Sequence, residues 1–192
     1  MERRAVLASG VRLALTGLAA GLAAAAPVAS TFAAAPKTDP ELDRAATAAM
    51  RRLLAGNAAA RKLNEKATAV LVFPKIIKAG FLLGGSYGEG ALRQGGKTVG
   101  YYNSAAASYG LQAGVQWFGY ALFFMNEAAL KYLDSSAGFE IGVGPSVVVV
   151  DEGLARKMTS TTLTQDVYAF IFNQKGLMAG LGLEGSKITK IQ

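Results

Sequence analysis

The sequence predicts an α+β domain in which N-terminal helices pack on a curled, glycine-rich antiparallel β-sheet or barrel. Three observations lead there. Helical periodicity comes first, over the stretch that follows the apolar leader, and mostly strand patterns follow it. From Ala67 onward the chain breaks into short apolar runs separated by turn residues, the pattern of strands paired in sequence. Finally, 23 glycines in 192 residues punctuate those runs and let strands bend sharply. With 52% hydrophobic and only 17% charged residues, the chain has enough apolar material to bury a core and is too apolar to stay disordered.

Residues 1–35 read as an export signal. Arg3-Arg4-Ala5-Val6-Leu7 opens a positively charged segment, an Ala/Leu/Gly run follows to Ala26, and Pro27 with small residues completes the three-part layout. The paired arginines are twin-arginine-like, with an ordinary Sec signal as the alternative. Small residues allow cleavage after Ser30 or Ala33, and retention of the apolar run as an anchor is the other outcome. Residues 36–192 are then expected to form a single domain in a periplasmic or otherwise exported setting, possible membrane association included. The net charge of +7 falls to +5 when Arg3, Arg4, Arg12 and Glu2 are removed, leaving 17 basic against 12 acidic residues. That surplus favours anionic partners.

In the mature chain, Thr38 stands three residues before Glu41 as a capping box requires, and Pro40 suits the first helical turn. The helix runs to about Ala55, with Leu42, Ala45, Ala46, Ala49, Met50, Leu53 and Leu54 on one face. Arg44, Arg51 and Arg52 lie away from most of that face. After Gly56-Asn57, a second short helix carries Arg61, Lys62, Glu65 and Lys66, so the two helices offer a cationic face.

Ala69-Val70-Leu71-Val72-Phe73 is a buried-strand pattern stopped by Pro74. Phe81–Leu92 has strand character with bends, and Arg93-Gln94-Gly95-Gly96-Lys97 predicts a hairpin turn before Thr98–Tyr102. Further strands are expected at Ser108–Gln116, Gly138–Val150, Val167–Asn173, Leu177–Glu184 and Ser186–Ile191. A helix is expected at Phe123–Leu133 and a looser turn at Asp151–Met158.

Histidine and cysteine are absent, which excludes Ser-His-Asp and Cys-His catalysis, His/Cys zinc sites and disulfides. No catalytic residue, metal site or cofactor is expected. Gly180-Leu181-Gly182-Leu183-Glu184-Gly185 matches G-x-G-x-x-G in letters, but only Ser186–Gln192 follow, too few for a dinucleotide-binding unit. Gly84–Gly90 lacks the Gly-Lys-Ser/Thr ending of a phosphate-binding loop. Glu89, Glu140 and Glu184 lie on expected strands beside glycines, so any two could pair as acid and base; the plainer reading is a solvated sheet face. Trp117–Met125 is the most apolar stretch and reads as core, with an aromatic ridge at a lipid interface as the alternative. Basic residues with interleaved exposed aromatics are missing, so nucleic acid is not an expected partner.

Lys75 and Lys78 flank Ile76-Ile77, an arrangement able to place two aliphatic side chains among lipid tails while both ammonium groups meet phosphates. A solvated loop has the same pattern.

Three blocks together resemble the SYLF domain family, also called the lipid-binding, actin-regulator domains: Ala69-Val-Leu-Val-Phe-Pro74-Lys-Ile-Ile-Lys78-Ala-Gly80-Phe-Leu-Leu-Gly84-Gly85, Ser108-Tyr-Gly110-Leu-Gln112-Ala-Gly114, and Lys175-Gly176-Leu-Met-Ala-Gly180-Leu-Gly-Leu-Glu184-Gly185-Ser186. They occur in the family's order over most of residues 39–192. The resemblance implies a non-enzymatic lipid-binding domain, associated in eukaryotic members with phosphoinositide membranes and actin regulation. Bacterial exported members resemble it as stand-alone domains. Ala169–Gln174 departs from the Tyr-Ser-x-Ser-like run expected there, so actin is not an expected partner in the native setting. The expected function is binding of anionic phospholipid or phosphoinositide-like surfaces, with an envelope protein as the alternative partner. Head-group contacts fall to Lys75, Lys78, Arg51, Arg52, Arg61, Lys62 and Lys66, and apolar contacts to Ile76 and Ile77.

Overall fold

The computed structural model describes residues 39–135, 138–151, 155, 158, 163–176, 183 and 185–191, with the side chains of residues 81–82, 108–113 and 176 excepted. These belong to a unit running from Ala35 to Gln192. The export signal lies outside the described residues.

Helix α1 (Pro40–Gly56) begins one residue later than the capping box suggests. Thr38 is outside the described residues, and Asp39 is the cap: its Oδ1 accepts from the N–H groups of Glu41 at 3.1 Å and Leu42 at 2.9 Å. Asn57 ends α1 and caps α2 (Ala58–Asn64), accepting the Ala60 N–H at 3.0 Å. Ala46, Ala49 and Leu53 of α1 and Ala59, Ala60 and Leu63 of α2 are buried, as the periodicity predicts.

Strands expected as separate pieces are joined into two long ones. β1 (Ala69–Gln94) and β2 (Lys97–Phe124) form one antiparallel hairpin about the turn at Gly95-Gly96, where both glycines have positive φ (56° and 80°). At about 3.3 Å per residue, a straight β1 would run roughly 85 Å, whereas a domain of this size has a radius of gyration of about 15 Å. The hairpin therefore bends. Register shifts lie between Phe73 and Ile76, Gly80 and Leu82, and Leu92 and Arg93. Pro74, expected to end a strand, sits in the first of these, where a residue without an N–H is tolerated.

Glycine permits the curl. A Cβ on Gly90 would lie 2.7 Å from the Phe73 ring and 2.8 Å from the Val72 carbonyl oxygen. One on Gly88 would collide with Lys75 and Ile76. Residues 72–76 thus lie close over residues 88–90, and side chains there would hold the two halves of β1 apart.

Beyond the hairpin, α3 (Glu127–Ser135) is followed by β3 (Phe139–Glu140), β4 (Val147–Val149), β5 (Val167–Gly176) and β6 (Lys187–Lys190). Among the described residues the sheet has six strands in the order β3-β6-β2-β5-β4, with β1 also on β2. Three expectations need correction. The helix placed at Phe123–Leu133 starts at Glu127, because Phe123 and Phe124 complete β2 and are fully buried. The strand placed at Gly138–Val150 is two short strands separated by turns in which Gly142 and Gly144 have φ of 102° and 91°. The sheet is not wholly antiparallel either, since β4 runs parallel to β5. The strand expected at Leu177–Glu184 lies outside the described residues except for Leu183, as does the Asp151–Met158 turn except for Asp151, Ala155 and Met158.

Alternation along the strands builds two core layers. Leu71, Phe73, Ile76, Leu92, Tyr102 and Phe124 face a layer closed by Leu130 and Leu133 of α3, with Phe139 and Ile188. Val70, Val72, Ala91, Tyr101, Ala121 and Phe123 face the layer covered by α1 and α2. Among the described residues no helix is long and apolar enough to cross a membrane.

Candidate functional site

Alternation across the bulge separates Ile76 from Ile77. Ile76 is 1% exposed and packs in the α3-side core, which removes it from any surface role and corrects its placement as a lipid contact. Ile77 is 43% exposed and stands opposite Trp117, itself 40% exposed. Trp117 in turn stands opposite Lys175 of β5. One row across three strands therefore reads Ile77, Trp117, Lys175, all on the outward face. The next row on β1 and β2 pairs Ala79 with Val115, also exposed, and the Gly80–Leu82 bend leads to Leu83, exposed at 77%. This is an apolar ridge on the hairpin beside its bend.

Lys75 is exposed in the bulge next to the ridge, whereas Lys78 is half-buried opposite Gln116 on the other face of β1 from Ile77. The Trp117–Met125 stretch is divided in the same way. Phe118, Tyr120, Leu122 and Phe124 point into one core layer and Ala121 and Phe123 into the other, while Trp117 faces out. Lys175 and the exposure of Val115 were not anticipated from sequence, whereas the outward Trp117 accords with the aromatic-ridge alternative for Trp117–Met125 at that one residue. The signal available was the period-two alternation Val115, Trp117 against Gln116, Phe118.

The helix cations serve different ends. Arg61 donates from Nη1 to the carbonyls of Leu54 at 2.5 Å and Ala55 at 3.2 Å, closing the C-terminal turn of α1. Lys62 borders a shallow hollow with Gly56, Ala59 and Phe170, and Arg52 and Lys66 are exposed. Arg51 lines a groove between α1 and the hairpin turn, together with Arg44, Arg93 and Lys97. The Lys75 backbone lies beside Gly88, five residues along β1 from Arg93, or about 17 Å. That exceeds the screening length of about 8 Å at physiological salt, so the groove and the ridge are electrostatically separate.

Of the three candidate carboxylates, Glu89 and Glu140 stand on strands that are not neighbours. Glu89 lies opposite Asn103 and accepts the Tyr87 hydroxyl at 2.8 Å, which raises the pKa of Tyr87. Glu140 lies opposite Lys187, and β2 and β6 stand between it and β1. Three strand spacings put the two backbones about 14 Å apart along the sheet. Glu184 lies outside the described residues. Among the described residues, no group of three acidic side chains is placed to hold a metal ion.

Residues 105–192 match the Ysc84 family, described as Las17-binding protein actin regulator. No curated protein matches the chain. The matched segment includes Val115, Trp117 and Lys175, together with β5 and β6. The match over residues 105–192 is consistent with a member of the SYLF domain family.

Proposed function

We propose that the domain binds anionic phospholipid surfaces without carrying out chemistry on them, laying the Ile77–Trp117 ridge into the interface while Lys75 and Lys175 meet phosphates. The observation that supports this most is the exposed row Ile77, Trp117, Lys175. An indole at the boundary between tails and head groups satisfies both its ring and its N–H, and lysines beside it keep their ammonium groups in the phosphate layer. The similarity of residues 105–192 to a family described by its binding agrees with the reading. The setting proposed is the periplasmic or exported face of a membrane, reached through the Arg3-Arg4 signal.

Vesicle sedimentation of residues 36–192 tests the proposal. Vesicles containing anionic lipid should bind the domain, neutral phosphatidylcholine vesicles should bind it clearly less, and rising salt should weaken binding. At about 1 kcal/mol per lysine near such a surface, reversing Lys75 and Lys175 to Glu should weaken binding by tenfold or more, with an unchanged circular dichroism spectrum. Absence of binding to either vesicle would favour an envelope protein docking on the same ridge.

A further inference from the structure

The alternation of β5 breaks beyond Phe172. Tyr168, Phe170 and Phe172 stand opposite Phe123, Ala121 and Gly119 and pack on the α1 and α2 side of the sheet. Period two places Gln174 next on that face, opposite Trp117. Lys175 stands there instead. From Gly119 to Trp117 β2 advances two residues, while β5 advances three from Phe172 to Lys175, so Asn173 and Gln174 together span Phe118. One extra residue on one strand of a pair is a β-bulge.

Asn173 makes the bulge. Its φ is 54°, and among the described residues it is the only non-glycine with positive φ. Asparagine accepts this left-handed conformation far more readily than a β-branched residue does. The register ahead of it is pinned, because Tyr168 and Phe170 are buried and the Phe172 ring lies against Gly119, where a Cβ would collide with it. The bulge between Phe73 and Ile76 likewise adds one residue to β1 and sets Ile77 opposite Trp117, where an unbroken ladder would set Ile76. Bulges on both neighbours of β2 therefore assemble the row Ile77, Trp117, Lys175.

We propose that Asn173 is a positioning residue that sets the charge preference of the ridge, by seating Lys175 rather than the neutral Gln174 beside Trp117. The inference rests on the reading of the ridge as a lipid-facing surface. Gln174 and Lys175 are adjacent and differ by a full positive charge, so a one-residue slip decides which of them lies beside the indole. With Lys175 there, a phosphate next to the inserted ring meets an ammonium group. With Gln174 there, the ring enters equally well, but anionic and neutral surfaces are told apart less sharply.

The full chain has no cysteine and one tryptophan, so a bimane label on a single introduced cysteine reports its proximity to Trp117 by quenching, without any lipid. The label at Lys175→Cys should be quenched more than the label at Gln174→Cys. Asn173→Gly, which keeps the left-handed conformation accessible, should preserve that order, and Asn173→Val should reverse it. An order that Asn173→Val leaves unchanged would overturn the role of Asn173, whatever the ridge binds.

Sedimentation of the full chain with vesicles of phosphatidylcholine, with and without phosphatidic acid, reads the charge preference. Exchanging the two side chains, Gln174→Lys with Lys175→Gln, keeps composition and net charge and should lower the preference for anionic vesicles by about fivefold, the worth of one lysine near such a surface. Adding Asn173→Val to the exchange should restore it, because the straightened ladder brings the lysine back beside Trp117. An exchange variant with undiminished preference would overturn the proposal, and that variant leaves Asn173 untouched, so the test stands even if Asn173→Val does not fold. Wild type that binds neither vesicle while the quenching order holds would overturn the lipid reading and the charge preference with it, but not the seating of Lys175 by Asn173.

Discussion

Ile77 and Trp117 stand directly opposite each other on β1 and β2, and both remain exposed although their neighbours Ile76 and Phe118 are buried. The two isoleucines are adjacent and chemically identical, so they separate packing from surface function. Ile76→Ala should cost about 2–5 kcal/mol, the range for truncating a buried isoleucine. Ile77→Ala should stay within about 0.5 kcal/mol of wild type. Urea denaturation of both variants checks the difference.

Two glycines make opposite predictions. Gly90→Ala drives a methyl group into the Phe73 ring and the Val72 carbonyl and should destabilise by about 1–3 kcal/mol. Gly56, at the end of α1, has open space where a Cβ would go, so Gly56→Ala should be neutral or stabilise by up to about 1 kcal/mol. Thermal melts of the pair distinguish steric exclusion from a general intolerance of glycine replacement.

Asp166 joins three elements. It accepts from Asn126 Nδ2 at 2.8 Å and from the Ser146 N–H and hydroxyl at 3.1 Å each, while the Asn126 amide oxygen caps α3 through the Ala129 N–H. The Asn126 and Ser146 hydrogen bonds hold its carboxyl below the usual range. A depressed folded pKa gives stability that is fully present above the unfolded value, near about 3.9, and lost as pH falls through the lower folded value. Asp166→Ala should therefore be less stable than wild type at pH 7, with the gap narrowing in acid. Denaturation midpoints measured from pH 7 to pH 2 check the sign.

The helix cap is equally specific. Asp39→Ala removes the acceptor for two N–H groups of α1 and should cost about 1 kcal/mol, whereas Asp39→Ser should retain most of the stability. Denaturant midpoints for the two variants read this directly.

Much of the architecture is legible in the sequence because it rests on local rules. The apolar face of α1, the Gly95-Gly96 turn and the alternation around Leu71–Phe73 each follow from short spacings. The continuity of β1 through Pro74 is not legible, because it depends on a bulge that only the pairing with β2 defines. Phe123 and Phe124 fit a helix or a strand equally well until their partners Val70 and Ala69 are known. The candidate sites are less legible still. Ile76 and Ile77 are indistinguishable in composition, and only the register across the bulge turns one inward. Lys175 is far from Trp117 in sequence and meets it through β5. Arg44 and Arg51 show their shared helix face at once, but Arg93 and Lys97 join them only because the hairpin turn folds back onto α1.

Trp117 is the chain's single tryptophan, so its fluorescence reports on the ridge without any label. If the ridge enters the interface, vesicles containing anionic lipid should shift its emission to shorter wavelength. Phosphatidylcholine vesicles should do so clearly less, and added salt should reverse the shift. A folded domain whose emission does not move with anionic vesicles, even where it sediments with them, would contradict the placement of Trp117 at the lipid surface.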